Sequence, residues 1–550
     1  MLSKIFDKIF LALCGAALLI RLLLEPSLNR FGSFGRENIS DLSNTLVLFV
    51  IAFLFILKKI LLKESIRCPK ILWILGSFCL TASLTISYSV DGPSTLLFSL
   101  DLWASFFFIF VLINFLNSIK LIELMAGILI MLTVIVNVFA VYDYLVTLPK
   151  LLAFMPNTIP YADRGIRELL STHRIPTLFG WPNILAGFLV MTIPLMFIFL
   201  VTKRPVVIRI CIVLALILAL YTFFITNTVS SWVGIFAGLM VVFLAIKKFS
   251  LSHRGWIGIL FTVIFTTVLI AYIFHQKMNL PNGNSTDARW QYFTSSCALI
   301  KLHPIIGSGW RTYGIASFPY IKNTNGSSEY AHNSYLQIWA EVGIIGLVIF
   351  LYFLWLLFKN SLELLHERHY QYRWLALTIT VGIVGSIVDN LFSYTMIKPQ
   401  IALFWWVLCA LAIALKENST IAPPQLKNQM LIKKIFLLIT LAGGILTFRL
   451  ALAEYYFFSA VDDIHHGIQY DRAVKLCLKA RDLNPWDKKF DLARAFALYG
   501  SFTKTLDIPT LLQARDAALS TEGQISLGSE RAAILKSINA NLAVIDKTQQ

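Results

Sequence analysis

Ile184-Leu-Ala-Gly-Phe-Leu-Val-Met-Thr-Ile-Pro-Leu-Met-Phe-Ile-Phe-Leu-Val-Thr202 runs for nineteen residues without a charge, and Lys203-Arg204 follow at once. As a helix rising about 1.5 Å per residue, the run is long enough to cross the ~30 Å hydrocarbon core of a bilayer. Comparable runs recur near 9–24, 44–62, 71–87, 96–116, 121–146, 206–226, 229–246, 256–274, 336–358, 374–395, 399–415 and 435–452. The pattern predicts an all-α fold, a polytopic helical membrane protein with about 13 transmembrane helices.

Composition agrees. Of 550 residues 57% are hydrophobic and only 14% charged, with a mean hydropathy of +0.72. A soluble domain carries about a quarter charged residues, so a cytosolic enzyme, a disordered tail protein and a collagen-like fibre are excluded. The 47 Lys and Arg against 30 Asp and Glu leave a net charge of +17. No nucleic acid is needed to explain it, because basic residues in loops on one side orient a membrane protein. Lys4 and Lys8, then Lys58, Lys59, Lys63, Arg67 and Lys70, then Lys203 and Arg204, and later Lys247, Lys248, Arg254, Lys359, Arg368, Arg373, Lys416, Lys427, Lys433 and Lys434 all fall on one side if each run spans once. That side is read as cytoplasmic. The expected setting is a bacterial inner (cytoplasmic) membrane, with the N-terminus inside and residues 453–550 in the periplasm. Arg21 interrupts the first apolar run and no small-residue cleavage site follows, so that run is read as an anchor and not a removable leader. No CxxC or Cys/His cluster has metal spacing, and a Cys297–Cys477 disulfide is not expected.

Two outer loops, 147–183 and 275–335, far exceed what neighbouring helices need for a connection. The chain divides into 1–173 (N-terminal spans and the first long outer loop), 174–415 (a catalytic core holding the loop 275–335), 416–452 (linker and last span) and 453–550. In the last part Tyr470-Asp-Arg-Ala-Val474, Ala480 and Leu483-Asn-Pro485 predict a tetratricopeptide-like helix pair, small residues packing closely and Asn-Pro ending the second helix. A generic helical cap is the blander alternative. Within the bundle, Gly234-Ile-Phe-Ala-Gly238 fits a close helix-packing motif.

The candidate chemistry lies in the second outer loop and the helix after it. His332 stands at the membrane boundary in His332-Asn333-Ser-Tyr-Leu336-Gln-Ile-Trp-Ala-Glu341-Val-Gly343-Ile-Ile-Gly346, where Asn333 or Ser334 can cap the helix. Histidine titrates near neutrality and can take a proton from a hydroxyl. Glu341 lies about two and a half turns deeper, where an unpaired carboxylate is costly. The same loop opens Asp287-Ala-Arg289-Trp290 and continues His303-Pro-Ile-Ile-Gly307-Ser-Gly309-Trp310-Arg311, while the first loop ends Arg174-Ile-Pro-Thr-Leu-Phe-Gly180-Trp-Pro182-Asn183. Guanidinium forks bind phosphate oxygens bidentately, and pairing with headgroups or with Asp163 and Glu168 is the competing use. Asp101, Asp143 and Asp389 are intramembrane acids, of which Asp389, followed by Asn390, is the one to watch. No close acid pair offers a divalent-ion site, and no cofactor or metal is expected.

The His332-to-Gly346 run resembles the O-antigen ligase and O-antigen polymerase superfamily of integral membrane glycosyltransferases. The Arg174…Gly-x-Pro-Asn183 and Arg289-Trp…His-Pro…Gly-x-Gly-Trp310 stretches are similar to two further parts of that family, and together they cover roughly 174–415. The resemblance implies a glycosyltransferase-C-like helical fold with a periplasmic active site. It implies transfer of glycan from a polyprenyl (undecaprenyl) diphosphate carrier to an acceptor hydroxyl, in cell-surface polysaccharide biosynthesis. His332 would be catalytic, Arg289, Arg174 and Arg311 would bind the diphosphate, and Asn333, Glu341 and Asp389 would support them, in a metal-independent, inverting reaction. The implied partners are a lipid-linked glycan donor, a glycan, lipid-core or protein acceptor, membrane lipids and a protein partner for 453–550. One departure stands out: relatives carry a Ser-Arg pair where this chain reads Asn227-Thr-Val-Ser230-Ser231-Trp232. Polymerase and protein O-oligosaccharyltransferase activity stay open as alternatives, as do, from another class, a lipid-linked oligosaccharide flippase and a non-catalytic assembly scaffold.

Overall fold

The computed structural model describes residues 2–24, 36–150, 178–246, 284–321, 328–365, 370–419, 428–467, 469–524 and 527–549. Among these residues the secondary structure is helical throughout. In chain order the helices are α1 (Leu2–Leu24), α2 (Arg36–Leu61), α3 (Lys70–Leu84), α4 (Gly92–Phe115), α5 (Ile119–Tyr142), α6 (Pro182–Val201), α7 (Val206–Ile225), α8 (Val229–Ile246), α9 (Asn284–Leu302) and the short α10 (Tyr313–Ser317). Then come α11 (Ser334–Leu364), α12 (Tyr370–Asp389), α13 (Pro399–Ser419), α14 (Gln429–His466), α15 (Tyr470–Leu483), α16 (Lys489–Thr505), α17 (Ile508–Leu519) and α18 (Gly528–Gln549). Ten helices are long and apolar enough to cross a membrane, and the shorter apolar stretches Ile9–Leu23 and Val229–Leu244 add two more. Each of the twelve matches an expected span; the thirteenth, 256–274, lies outside the described residues, as do Asp163, Glu168 and Arg174. The protein is a polytopic helical membrane protein.

Charge separates the two ends of the bundle. At one end Lys433 donates to the carbonyls of Lys59 and Glu64, Arg67 reaches Asn418 at 2.9 Å, Lys416 pairs with Glu363 at 3.0 Å, and Arg204 pairs with Glu123. These are the lysine- and arginine-rich loops of the sequence. His332, Arg311 and Asp389 lie at the opposite end. Inside the bundle, Arg21 is buried and satisfied by Asp41 at 2.9 Å and by the carbonyl of Pro399, which is why it can interrupt the first apolar run.

Glycine sets the closest helix contacts. A Cβ on Gly234 would sit 2.5 Å from the carbonyl oxygen of Gly385, and one on Gly238 would sit 2.4 Å from that of Val381. α8 and α12 therefore touch backbone to backbone, as the Gly234…Gly238 spacing suggests. α13 is buried along Pro399–Leu415 and forms the centre of the bundle, whereas α14 turns Leu438, Ile445 and Phe448 outward. α14 runs unbroken for 38 residues, through position 453 and into the C-terminal part. There α15 and α16 form a hairpin around Asn484-Pro485, tight enough that a Cβ on Gly500 would meet the Tyr470 ring at 2.3 Å. Arg449 of α14 donates to the carbonyls of Leu483 and Asp482, and Lys489 bridges Glu454 and Asp487. All seven cysteines are free thiols.

Candidate active site

The site is built around the start of α11. Asn333 is its N-cap, the side-chain oxygen accepting from the backbone N–H groups of Tyr335 and Leu336 at 3.0 Å. Ser334 fixes this helix end to the turn after α12, donating from Oγ to Asn390 Oδ1 at 2.7 Å and from its backbone to the Asn390 carbonyl at 3.0 Å. Asn390 in turn donates to the Ser386 carbonyl and Thr395 Oγ1 and accepts from Met396 N–H. His332 leads into this anchored end in a left-handed conformation, φ 52°.

About three turns beyond His332, α11 breaks. Gly343 has φ 78° and ψ −179°, outside helical space. The break frees the carbonyls of Ala340 and Glu341, which accept from Ser308 and Gly309 N–H at 2.9 Å, while Ile344 N–H donates to the Pro304 carbonyl at 3.0 Å. The segment 304–312 thus enters the gap and satisfies backbone groups that a bilayer would leave unpaired. Only glycine fits the contact: a Cβ on Gly343 would lie 2.0 Å from the Ile305 oxygen, and one on Gly307 would lie 2.3 Å from that of Glu341. On its other side the segment meets the α3–α4 turn, with Val90 N–H on the Ser308 carbonyl and Trp310 N–H on Thr85 Oγ1, both 3.0 Å.

Glu341 secures this insertion. It is fully buried and accepts from the N–H groups of Arg311 (2.9 Å) and Tyr313 (3.0 Å) and from Gln337 Nε2 (2.9 Å). The Gln337 oxygen accepts from Ala331 N–H, next to His332. Glu341 therefore positions the Arg311 backbone and does not touch the open site. Tyr313 is buried too, its hydroxyl bonded to the Tyr292 carbonyl and facing Ser295, so its side chain is structural. Lys301 and Tyr320 are exposed on the same segment.

Aromatic rings link the basic groups. The Arg311 guanidinium lies 4.3 Å from the Phe98 ring centre and 4.6 Å from that of Tyr330, and donates to the Tyr330 hydroxyl at 2.8 Å. Tyr330 stacks on Tyr394 at 4.1 Å, and Tyr394 meets the His332 ring edge-on at 4.8 Å. Tyr292 stacks on His332 at 4.8 Å with 10° between planes. Arg289, exposed on α9 one turn before Tyr292, bears electrostatically on both His332 and Asp389. Burial, and then the Arg289 charge, pushes the His332 pKa down to about 3, so its imidazole is neutral in ordinary buffers. Asp389 is buried and accepts from Ser231 Oγ of α8 at 2.8 Å. Among the described residues no three His, Cys, Asp or Glu side chains cluster as metal ligands would.

The structure thus places Arg289, Arg311, His332, Asn333, Glu341 and Asp389 at one end of the bundle, with Arg174 outside the described residues. Residues 214–351 match the family model described as O-antigen ligase. The matched segment contains Arg289, the 304–312 insertion, His332 and the break at Gly343, while Asp389 and Tyr394 follow it. The chain is also 26% identical over 220 residues to the teichuronic acid biosynthesis protein TuaE of Bacillus subtilis (strain 168). The similarity covers 36% of this chain and 42% of that protein, less than half of the relative's length. Sequence reading missed Tyr292 and Tyr394 beside His332. For Tyr292 the signal was its place three residues after Arg289, on the same helical face; for Tyr394 the sequence carries none.

Proposed function

We propose that this protein is a membrane glycosyltransferase that moves glycan from a polyprenyl diphosphate, the undecaprenyl carrier, to an acceptor hydroxyl at the periplasmic face of a bacterial inner membrane. The observation that carries the reading is a neutral histidine beside an exposed arginine, at the bundle end opposite the lysine-rich loops, within the segment that matches O-antigen ligases.

The acceptor oxygen attacks the anomeric carbon. A new C–O glycosidic bond forms, the bond from that carbon to the diphosphate oxygen breaks, and the lipid diphosphate leaves with the electron pair. Diphosphate is a good leaving group, so the demand on the protein is alignment and neutralisation of charge on the departing oxygens. Arg289 and Arg311 supply guanidinium forks on the described face, and Arg174 is assigned a third by resemblance. His332 accepts the hydroxyl's hydrogen bond and takes its proton late, once bonding to carbon has made the oxygen acidic. A bound diphosphate opposes the Arg289 charge and so raises the basicity of the imidazole at the moment it is needed. Single displacement inverts the anomeric centre.

The TuaE relative's part in teichuronic acid biosynthesis favours a growing polysaccharide as acceptor, so polymerase action is the second reading. The test gives the purified full chain in detergent an undecaprenyl diphosphate glycan with lipid-core or oligosaccharide acceptors, and product is resolved by mass. A new glycosidic bond is expected, with His332→Ala losing at least about 100-fold in rate and Arg289→Lys also impaired because an ammonium has no planar fork. A flippase makes no new bond in this assay, and full activity of His332→Ala would remove the histidine from the mechanism.

A further inference from the structure

We propose that Tyr292 of α9 and Tyr394 of the α12–α13 turn are positioning residues that clamp the His332 imidazole in one orientation and keep water from it. The inference rests on the transfer reading above and concerns two residues that nothing so far has given a part in the reaction.

A histidine that handles protons is ordinarily oriented by a hydrogen bond to its second ring nitrogen, from a carboxylate or a carbonyl. Among the described residues His332 lacks that device: Nδ1 is buried with no hydrogen-bond partner. Its backbone is left-handed, a conformation that a side chain of this size seldom holds without support. The support is aromatic. Tyr292 lies flat on the ring at 4.8 Å and 10°, and Tyr394 meets it edge to face at 4.8 Å and 80°. Stacked and edge-to-face pairs at these separations are the favoured arrangements of π-systems. With Nδ1 inside the wall, Nε2 is the nitrogen left for an acceptor hydroxyl.

The elements that carry both rings are themselves fixed. The Tyr292 carbonyl accepts from the Ser296 and Tyr313 hydroxyls, which anchors its stretch of the α9 backbone. Tyr394 is buried, stacks on Tyr330, and its hydroxyl faces Asn183 at the start of α6. The Gly180-Trp-Pro182-Asn183 run therefore braces the clamp from a third helix. The charged and titratable groups around the imidazole are Arg289 and Tyr292 on α9, Tyr394 on the turn, and Asp389 acting through Arg289. Tyr330, Glu329 and Arg311 stand behind Tyr394. Among the described residues the only cation acting directly on the ring is Arg289, so removing a tyrosine readmits water without altering the charge balance.

Diethyl pyrocarbonate, which acylates unprotonated imidazoles, reads this directly on the full chain in detergent, with the His332 peptide followed by mass spectrometry from pH 8 to pH 5. In the wild type the rate constant, corrected for reagent hydrolysis, is expected to be flat over this range. In Tyr292→Leu it falls about tenfold, as for a hydrated imidazole with a pKa near 6, and Tyr394→Leu moves the same way. Tyr292→Phe keeps the ring and stays flat. A flat profile in monodisperse Tyr292→Leu and Tyr394→Leu, or Tyr292→Phe titrating like Tyr292→Leu, overturns the clamp. The readout needs no glycan transfer. A wild type that makes no glycosidic bond sinks the transfer reading, while the acylation profiles still decide whether the rings shield the histidine.

Discussion

Replacing Glu341 by Gln exchanges one heavy atom and almost no volume, yet its consequence can be worked through bond by bond. One carboxylate oxygen accepts from Tyr313 N–H and Gln337 Nε2, the other from Arg311 N–H. A glutamine carbonyl can take over the first pair, but its NH2 group then faces the Arg311 N–H, donor against donor. One buried donor loses its acceptor, at a cost of about 1–3 kcal/mol. The 304–312 insertion should open more readily by that amount, roughly 5- to 140-fold in its local opening equilibrium. Glu341→Ala orphans all three donors and should release the segment altogether. Hydrogen exchange by mass spectrometry on peptides covering 304–313 measures the effect, with α13 peptides as an internal reference that stays protected. If both variants exchange across 304–313 within twofold of the wild type, the carboxylate does not hold the insertion and the positioning argument for Arg311 fails with it.

Two further outcomes follow from the glycines. Gly343→Ala meets a left-handed backbone and an oxygen 2.0 Å from the new Cβ, so the insertion must leave the break; 304–313 exchange should exceed that of Glu341→Gln, and glycan transfer should be lost. Gly238→Ala forces α8 and α12 apart at Val381 and should lower the melting temperature in detergent by several degrees, an overpacking cost of about 1–3 kcal/mol. Gly444→Ala, whose Cβ finds only an ordinary 3.7 Å contact with Phe49, should melt like the wild type and serves as the control.

The fold was legible from apolar runs because a bilayer demands about 20 consecutive apolar residues whatever the neighbours are, and each run carries that signal alone. The Asn333 cap and the Gly234…Gly238 contact were legible for the same reason, since local geometry is written in adjacent residues. The roles of the polar residues were not. His332 and Glu341 stand nine positions apart in one motif, read as a catalytic group and a supporting one; the structure shows what the support is, a buried fastening for a loop thirty residues upstream. Asp389 reads as an intramembrane acid that needs a buried partner, but that the partner is Ser231, 158 residues away, comes only from the packing. Tyr394 carried no signal, because the value of an aromatic ring lies in what it packs against. Sequence by itself determined the twelve described spans and the chemistry on offer, since hydrophobic length and charge act one segment at a time. Which ring nitrogen is buried, which carboxylate is fully bonded and which guanidinium is open depends on burial and on distant partners, and only the packed helices decide that.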